Sequence, residues 1–392
     1  MSQQIYLDHN ATTPVLTEVL EALRPFWAES YGNPSSLHQA GQEAAKAVRE
    51  ARREVASLLG ARDESEIVFT SGGTESNNAV FRSALWTEKK KRRIVTTAVE
   101  HSSVLKVMKA LQEEGAEMIY CPVDEKGNLD RDRLRSVVTG DTALVSVMSA
   151  NNETGVLFPV EEIGREVRAK GVLFHVDAVQ AVGKIPISLK NSAIDFLSLS
   201  AHKFGGPKGA GALYVRKGVG FRPFCFGGSQ ERGRRAGTEN VPGIVGLGRA
   251  AKQLKKDFGE RNRKVGELRD DFERKVFAAI PDVKTNGDPT NRLPNTSNLA
   301  FEGVDSEALL ILLDQEGVYA SSGSACLSGA PEPSHVLTAM GFSKERARSS
   351  VRFSFGSGNT AEEINVVVSV LEELVGRLRE IEFEGQHPHS VV

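Results

Sequence analysis

Short apolar runs and amphipathic helical patterns alternate along most of the chain. Val48, Ala51, Val55 and Leu58 recur at helical spacing among Arg and Glu positions, and Gly60 supplies a stop. Ile67-Val68-Phe69-Thr70 then reads as a buried strand, and the same reading repeats at 94–97, 143–147, 172–176 and 196–199. Helical patterns lie between several of these runs, for instance Val104 to Glu113 and Glu161 to Lys170, the latter stopped by Gly171. Short β-branched strands separated by helices predict parallel βαβ units in one large sheet.

After about residue 240 the texture changes. A long charged helical stretch from Gln253 to Ala279 is followed by a Pro/Asn/Gly-rich segment, Pro281 to Pro294. Strand patterns at 297–301 and 318–321 flank a helix from Glu307 to Gln315, with Ser306 as its expected cap, and a last helix runs from Ala361 to about Arg379. This predicts a second α/β unit beside the first sheet. The length, 392 residues, is above that at which one hydrophobic core stops growing, so two domains are expected.

Acidic and basic residues nearly cancel, 51 against 49. A nucleic-acid or membrane-surface protein would need a basic excess, and Lys89 to Arg93 alone reads as a solvated loop. The N-terminus lacks a basic segment followed by an apolar run, and no apolar stretch is long enough to cross a bilayer, so a cytoplasmic protein is expected. Cys121, Cys225 and Cys326 are too far apart for a disulfide framework or a CxxC metal site. Each is then a small buried hydrophobe or a reactive thiol.

Candidate chemistry begins at Ser71-Gly72-Gly73-Thr74, directly after a strand and opening a helix. Glycines let the backbone approach an anion, and a helix N-terminus adds free N–H groups, so the segment reads as a phosphate cradle or as a plain βα turn. Asp177 ends one β-branched strand, and Lys203 follows the next, ahead of a Gly-Gly-Pro turn. Both fall at the carboxyl edge of the sheet, where ligands bind in open α/β folds. A lysine amine, a buried carboxylate and a phosphate cradle together suit an aldehyde cofactor with a protonated pyridine ring.

These segments, with LDHNATTP, YGNPSSLH, EHSSVL, SANNETG, RRAGTEN, SSGSACLSG and SSVRFS, span nearly the whole chain. The sequence resembles the NifS/IscS-type cysteine desulfurases, within the aminotransferase-like fold type I pyridoxal-phosphate enzymes. The resemblance implies an α/β fold, with a seven-stranded mostly parallel sheet in a large domain (16–262) and a smaller domain formed by 1–15 and 263–392. It implies pyridoxal 5′-phosphate as cofactor, with Lys203 forming the Schiff base, Asp177 on the pyridine nitrogen and Gln180 on the ring 3-oxygen. His101 would stack on the ring and move protons, and Gly73, Thr74, Ser200 and His202 would hold the phosphate. Thr238 would reach the phosphate in the neighbouring subunit of a homodimer with shared sites, and Asn152 and Arg352 would bind the carboxylate of L-cysteine. Selenocysteine lyase, or another lyase or aminotransferase of the same fold, is the alternative.

Cys326 separates these readings. It lies in a run of small residues, Ser321 to Ala330, with Leu327 as the one packing anchor, as a thiol on a mobile loop would. The resemblance implies that Cys326 takes sulfur from cysteine as a persulfide and passes it to an iron–sulfur scaffold protein, with transient iron–sulfur contact. The tail after Arg379 does not resemble the extended C-terminus of housekeeping members, and His9-Asn10 leans toward the nitrogen-fixation subgroup. Cys121 reads as an ordinary strand residue and Cys225 as packing. Arg352 alternates with Val351, Phe353 and Phe355 along a strand, so the guanidinium faces away from their apolar side.

Overall fold

The computed structural model describes residues 4–322 and 333–386. The strands, in chain order, are β1 (Ile5–Tyr6), β2 (Ile67–Thr70), β3 (Arg93–Thr97), β4 (Glu117–Cys121), β5 (Thr142–Met148) and β6 (Leu173–Asp177). They continue with β7 (Phe196–Ser200), β8 (Gly211–Val215), β9 (Val283–Thr285), β10 (Thr296–Phe301), β11 (Val318–Tyr319) and β12 (Ser350–Ser354).

A seven-stranded sheet runs in the order β2-β8-β7-β6-β5-β3-β4. Its pairs are parallel except at β8, which lies antiparallel to both β2 and β7. Central strands are buried along their whole length, as β5 is at every position, so they read as continuous apolar runs rather than as alternation. Helix Gln39–Leu59 ends where Gly60 takes a left-handed φ of 59°, which glycine adopts without a Cβ penalty. That helix packs on Val241–Leu254 closely enough that a Cβ on Gly248 would lie 2.5 Å from Ala51 Cα.

A second core gathers Phe272, Phe301, Phe353 and Phe355 around the antiparallel sheet β12-β10-β9 and the helices Phe258–Ala279 and Ala361–Gln386. Ile5 and Leu7 are buried in this core, because β1 pairs in parallel with β11 from the far end of the chain. The next few N-terminal residues therefore pass between the two cores.

Three local expectations are corrected. The charged helix expected from Gln253 is broken at Lys255–Asp257, where Asp257 leaves helical geometry (φ −135°, ψ 25°), as a short polar side chain that competes for backbone groups often does. The helix Ser306–Gln315 is capped by Asp305, whose carboxylate accepts from Glu307 N and Ala308 N, so Ser306 is its first residue. The last helix runs on to Gln386.

Candidate active site

Five chain segments leaving the carboxyl edge of the large sheet converge on one cavity of about 200 Å³. Its wall includes Gly73, Thr74, His101, Asn152, Asp177, Gln180, Ser200, His202 and Lys203. Each of these residues was singled out in the sequence, and the fold brings them together.

The phosphate cradle is the first turn of helix Gly73–Thr87. A Cβ on Gly73 would come 2.6 Å from Val179 Cγ2, and one on Gly211 of β8 would come 2.5 Å from Gly72 Cα. Only glycine fits such approaches, and a helix N-terminus there offers its N–H groups to an anion. Ser200 Oγ stands 3.4 Å from where a Cβ on Gly72 would be.

Asp177 is 5% exposed, and its oxygens accept from Val179 N (3.0 Å) and Asn77 Nδ2 (2.8 Å). No cation lies within ion-pair distance of it among the described residues. A carboxylate in that setting suits a protonated ring nitrogen as partner. Asn77 also donates to Ser103 Oγ (2.9 Å), which is 2.8 Å from His101 Nδ1. Sequence reasoning missed Asn77 and Ser103, since a polar residue early in a helix ordinarily faces water. Here both are buried and join Asp177 to His101 in one chain of hydrogen bonds.

His101 is itself the cap of helix Ser102–Glu113. Its Nδ1 accepts from Ser103 N at 3.1 Å, so in the neutral ring the proton sits on Nε2. Burial lowers the His101 pKa, favouring that neutral ring.

Lys203 Nζ donates to the main-chain oxygens of Asn10 (2.6 Å) and Ala11 (2.9 Å). Burial, and next the Arg352 cation, bring its pKa down to about 8, so the free amine is populated near neutrality. The N-terminal segment fixes the turn around it: Thr13 Oγ1 donates to His202 O and accepts from Gly205 N, and Thr12 Oγ1 meets His202 Nδ1 at 3.1 Å. Burial lowers His202 to about 4.

Arg352 on β12 is buried behind the cavity wall. Its Nη1 donates to Asn152 O (2.9 Å) and its Nη2 to Asp8 Oδ1 (2.6 Å). Among the described residues Arg352 Nε and Asn152 Oδ1 are both buried without a partner, an open donor and an open acceptor in contacting residues. Thr238 is exposed and lies outside the cavity, on a loop held to the cradle by the Arg235–Glu75 ion pair. Cys326 lies outside the described residues. The backbone that leads toward it pairs with β12, Ser321 and Arg352 exchanging both main-chain hydrogen bonds. Of the other cysteines, Cys121 is fully buried with its thiol pushed up to about 11, and Cys225 is half-buried. Among the described residues no His/Cys/Asp/Glu group could hold a metal ion, and no helix is long and apolar enough to cross a membrane.

Residues 5–367 match the family model described as Aminotransferase class-V. A cysteine desulfurase of Trichormus azollae is 55% identical over 375 residues, 96% of this chain and 94% of its own. Cysteine desulfurase NifS of Azotobacter vinelandii is 50% identical over 377 residues, again 96% and 94%. A solved structure titled NIFS-LIKE PROTEIN superposes with a TM-score of 0.90 at 41% identity, covering 96% of this chain and all of that one.

Proposed function

The chain belongs to the aminotransferase class-V family and, within it, to the cysteine desulfurases; we propose that it takes sulfur from L-cysteine, releases L-alanine and holds the sulfur as a persulfide on Cys326. The observation that carries this is the meeting of Lys203, Asp177 and the phosphate cradle on one small cavity.

Pyridoxal 5′-phosphate, when bound, supplies an aldehyde that condenses with an amine and a pyridine ring that draws electrons from the substrate Cα. The open cradle, the Asp177 carboxylate with no cation beside it among the described residues, and the lowered Lys203 amine fit that group. Gly73, Thr74, Ser200 and His202 would hold its phosphate, Asp177 its ring nitrogen and Gln180 its 3-oxygen. Lys203 Nζ would hold the aldehyde and, as a free amine, would take the substrate Cα proton. His101, with its Nδ1 taken up by Ser103 N, would cover the ring and pass protons through Nε2. Asn152 and Arg352 orient the substrate carboxylate. The Cys326 thiolate then attacks the substrate sulfur: the S–S bond forms, the C–S bond breaks, and its electron pair stays with the carbon skeleton that leaves as alanine.

The protein acts as a cytosolic homodimer in which Thr238 completes the neighbouring site, and an iron–sulfur scaffold accepts the sulfur, contacting Cys326 as it does so. Mass spectrometry after brief incubation with cysteine tests the core of this reading. One added sulfur, removable by reductant, is expected on the peptide holding Cys326, with Cys121 unmodified. The Cys326→Ala variant should keep the cysteine-induced change in the cofactor spectrum while alanine and sulfide production stop. A persulfide elsewhere, or steady turnover by Cys326→Ala, overturns sulfur transfer through Cys326.

A further inference from the structure

Lys203 also borders a second, larger cavity of about 570 Å³, whose wall includes Lys184, His9, Asn295 and Gly356. Lys184 reaches from this cavity to the residues behind the first one. Its Nζ donates to Gln180 Oε1 and to Asn10 Oδ1, each at 2.8 Å. Gln180 Nε2 donates in turn to Asn10 O at 2.9 Å, the same oxygen that accepts from Lys203. No carboxylate lies within ion-pair distance of Lys184 among the described residues, and burial pushes its amine well below the usual lysine range. Charged or neutral, that amine still supplies the two N–H bonds seen here.

We propose that Lys184 is a positioning residue that fixes the side-chain amide of Gln180, so that an N–H and not the oxygen faces the 3-oxygen of the bound cofactor. This rests on the cofactor reading given above. A glutamine amide has nearly the same shape after a half-turn, and only its partners decide which end is which. Lys184 as donor holds the oxygen end on its own side, while Asn10 O takes one of the two amide hydrogens and leaves the other for the cavity that Gln180 lines. Without Lys184, Gln180 Oε1 loses its partner and faces Asn10 Oδ1, another oxygen served by the same nitrogen. Among the described residues Asn10 O is then the one partner left to orient the amide, and the N–H faces the cofactor oxygen for less of the time.

The test is a pH titration of the visible absorption of the cofactor-loaded protein, read in Lys184→Met, Gln180→Leu and the double variant. A donor on the ring oxygen draws charge from it and eases loss of the neighbouring Schiff-base proton. Losing the donor should therefore raise the titration midpoint by about 0.5–1 pH unit in Lys184→Met, in the same direction as in Gln180→Leu. In the Gln180→Leu background Lys184→Met should add nothing, since the lysine acts through the amide. Lys184→Arg, with donors only, should titrate near the parent. An unmoved midpoint in Lys184→Met, an equal shift in both backgrounds, or an arginine variant that behaves like methionine overturns the proposal. If Lys184→Met does not fold, Lys184→Ala, whose lost volume opens onto the cavity, gives the same reading. A parent protein that takes up no pyridoxal phosphate at all would instead overturn the cofactor assignment on which this stands.

Discussion

Asn77 donates one hydrogen of its side-chain amide to Asp177 Oδ2 at 2.8 Å from a helix that begins at the phosphate cradle. The bond ties the carboxylate proposed for the ring nitrogen to the element proposed for the phosphate. Hydrogen bonds to a charged group contribute about 1.5–3 kcal/mol. Asn77→Ala should therefore weaken pyridoxal-phosphate retention by roughly tenfold or more, measured by equilibrium dialysis, while the far-ultraviolet circular dichroism stays that of the parent. Unchanged retention would show that Val179 N alone suffices for Asp177.

The Lys203 amine is predicted to react as a base of pKa about 8. In the cofactor-free protein, competitive acetylation of Lys203 followed by peptide mapping should rise about tenfold per pH unit below that value and level off above it. Exposed lysines should continue to gain reactivity toward pH 10. A Lys203 profile that tracks theirs would mean that burial does not set its pKa.

Glu100 is fully buried, and burial raises its pKa to about 8. The folded protein thus keeps this proton at pH values where the unfolded chain has lost it. Below the ordinary carboxyl pKa both states hold the proton and Glu100 costs nothing; from there up to about 8 stability falls, by at most about 1.4 kcal/mol per pH unit. Glu100→Gln removes that dependence. Urea unfolding should find the variant no more stable than the parent near pH 4.5 and increasingly more stable toward pH 8. A constant gap between the two proteins would contradict the raised pKa.

Glu231 stands in a left-handed conformation (φ 48°), followed by Arg232 at φ 59°. Its carboxylate is held by both Arg52 Nη atoms at 2.6 and 2.7 Å and accepts from Phe69 N at 2.9 Å. Breaking a buried pair strands the surviving charge, so Glu231→Ala should cost about 3–5 kcal/mol in chemical denaturation. The exposed Arg131–Glu162 pair should cost at most about 1 kcal/mol when Glu162 is replaced by alanine. Similar losses at the two sites would remove the distinction drawn from burial.

The large sheet was legible because its central strands are apolar at consecutive positions and its helices carry their own stops, as at Gly60. Asp177, Lys203 and the Gly72-Gly73 turn were legible because each follows an apolar run, which places it at the sheet edge. Asn77, Ser103, Asn10 and Lys184 were not. Their importance lies in partners more than 20 residues away or in a neighbouring turn, and a buried asparagine or a half-buried lysine looks in sequence like a solvated one. Helix caps were missed by one residue where two capping types adjoin, as at Asp305-Ser306. The break at Asp257 was hidden by the charged helical patterns on both sides of it.

The Asp8–Arg352 pair has a consequence for how any carboxylate ligand is received. The guanidinium is already neutralised, with Asp8 on Nη2 and the Asn152 carbonyl on Nη1. Accepting a carboxylate there accordingly sets two anions in competition for one guanidinium, and the incoming group must share it with Asp8 or push that side chain aside. Long-range attraction then contributes little to affinity, and discrimination falls to shape, to the spare Nε donor, and to how readily water takes over Asp8 once it is released.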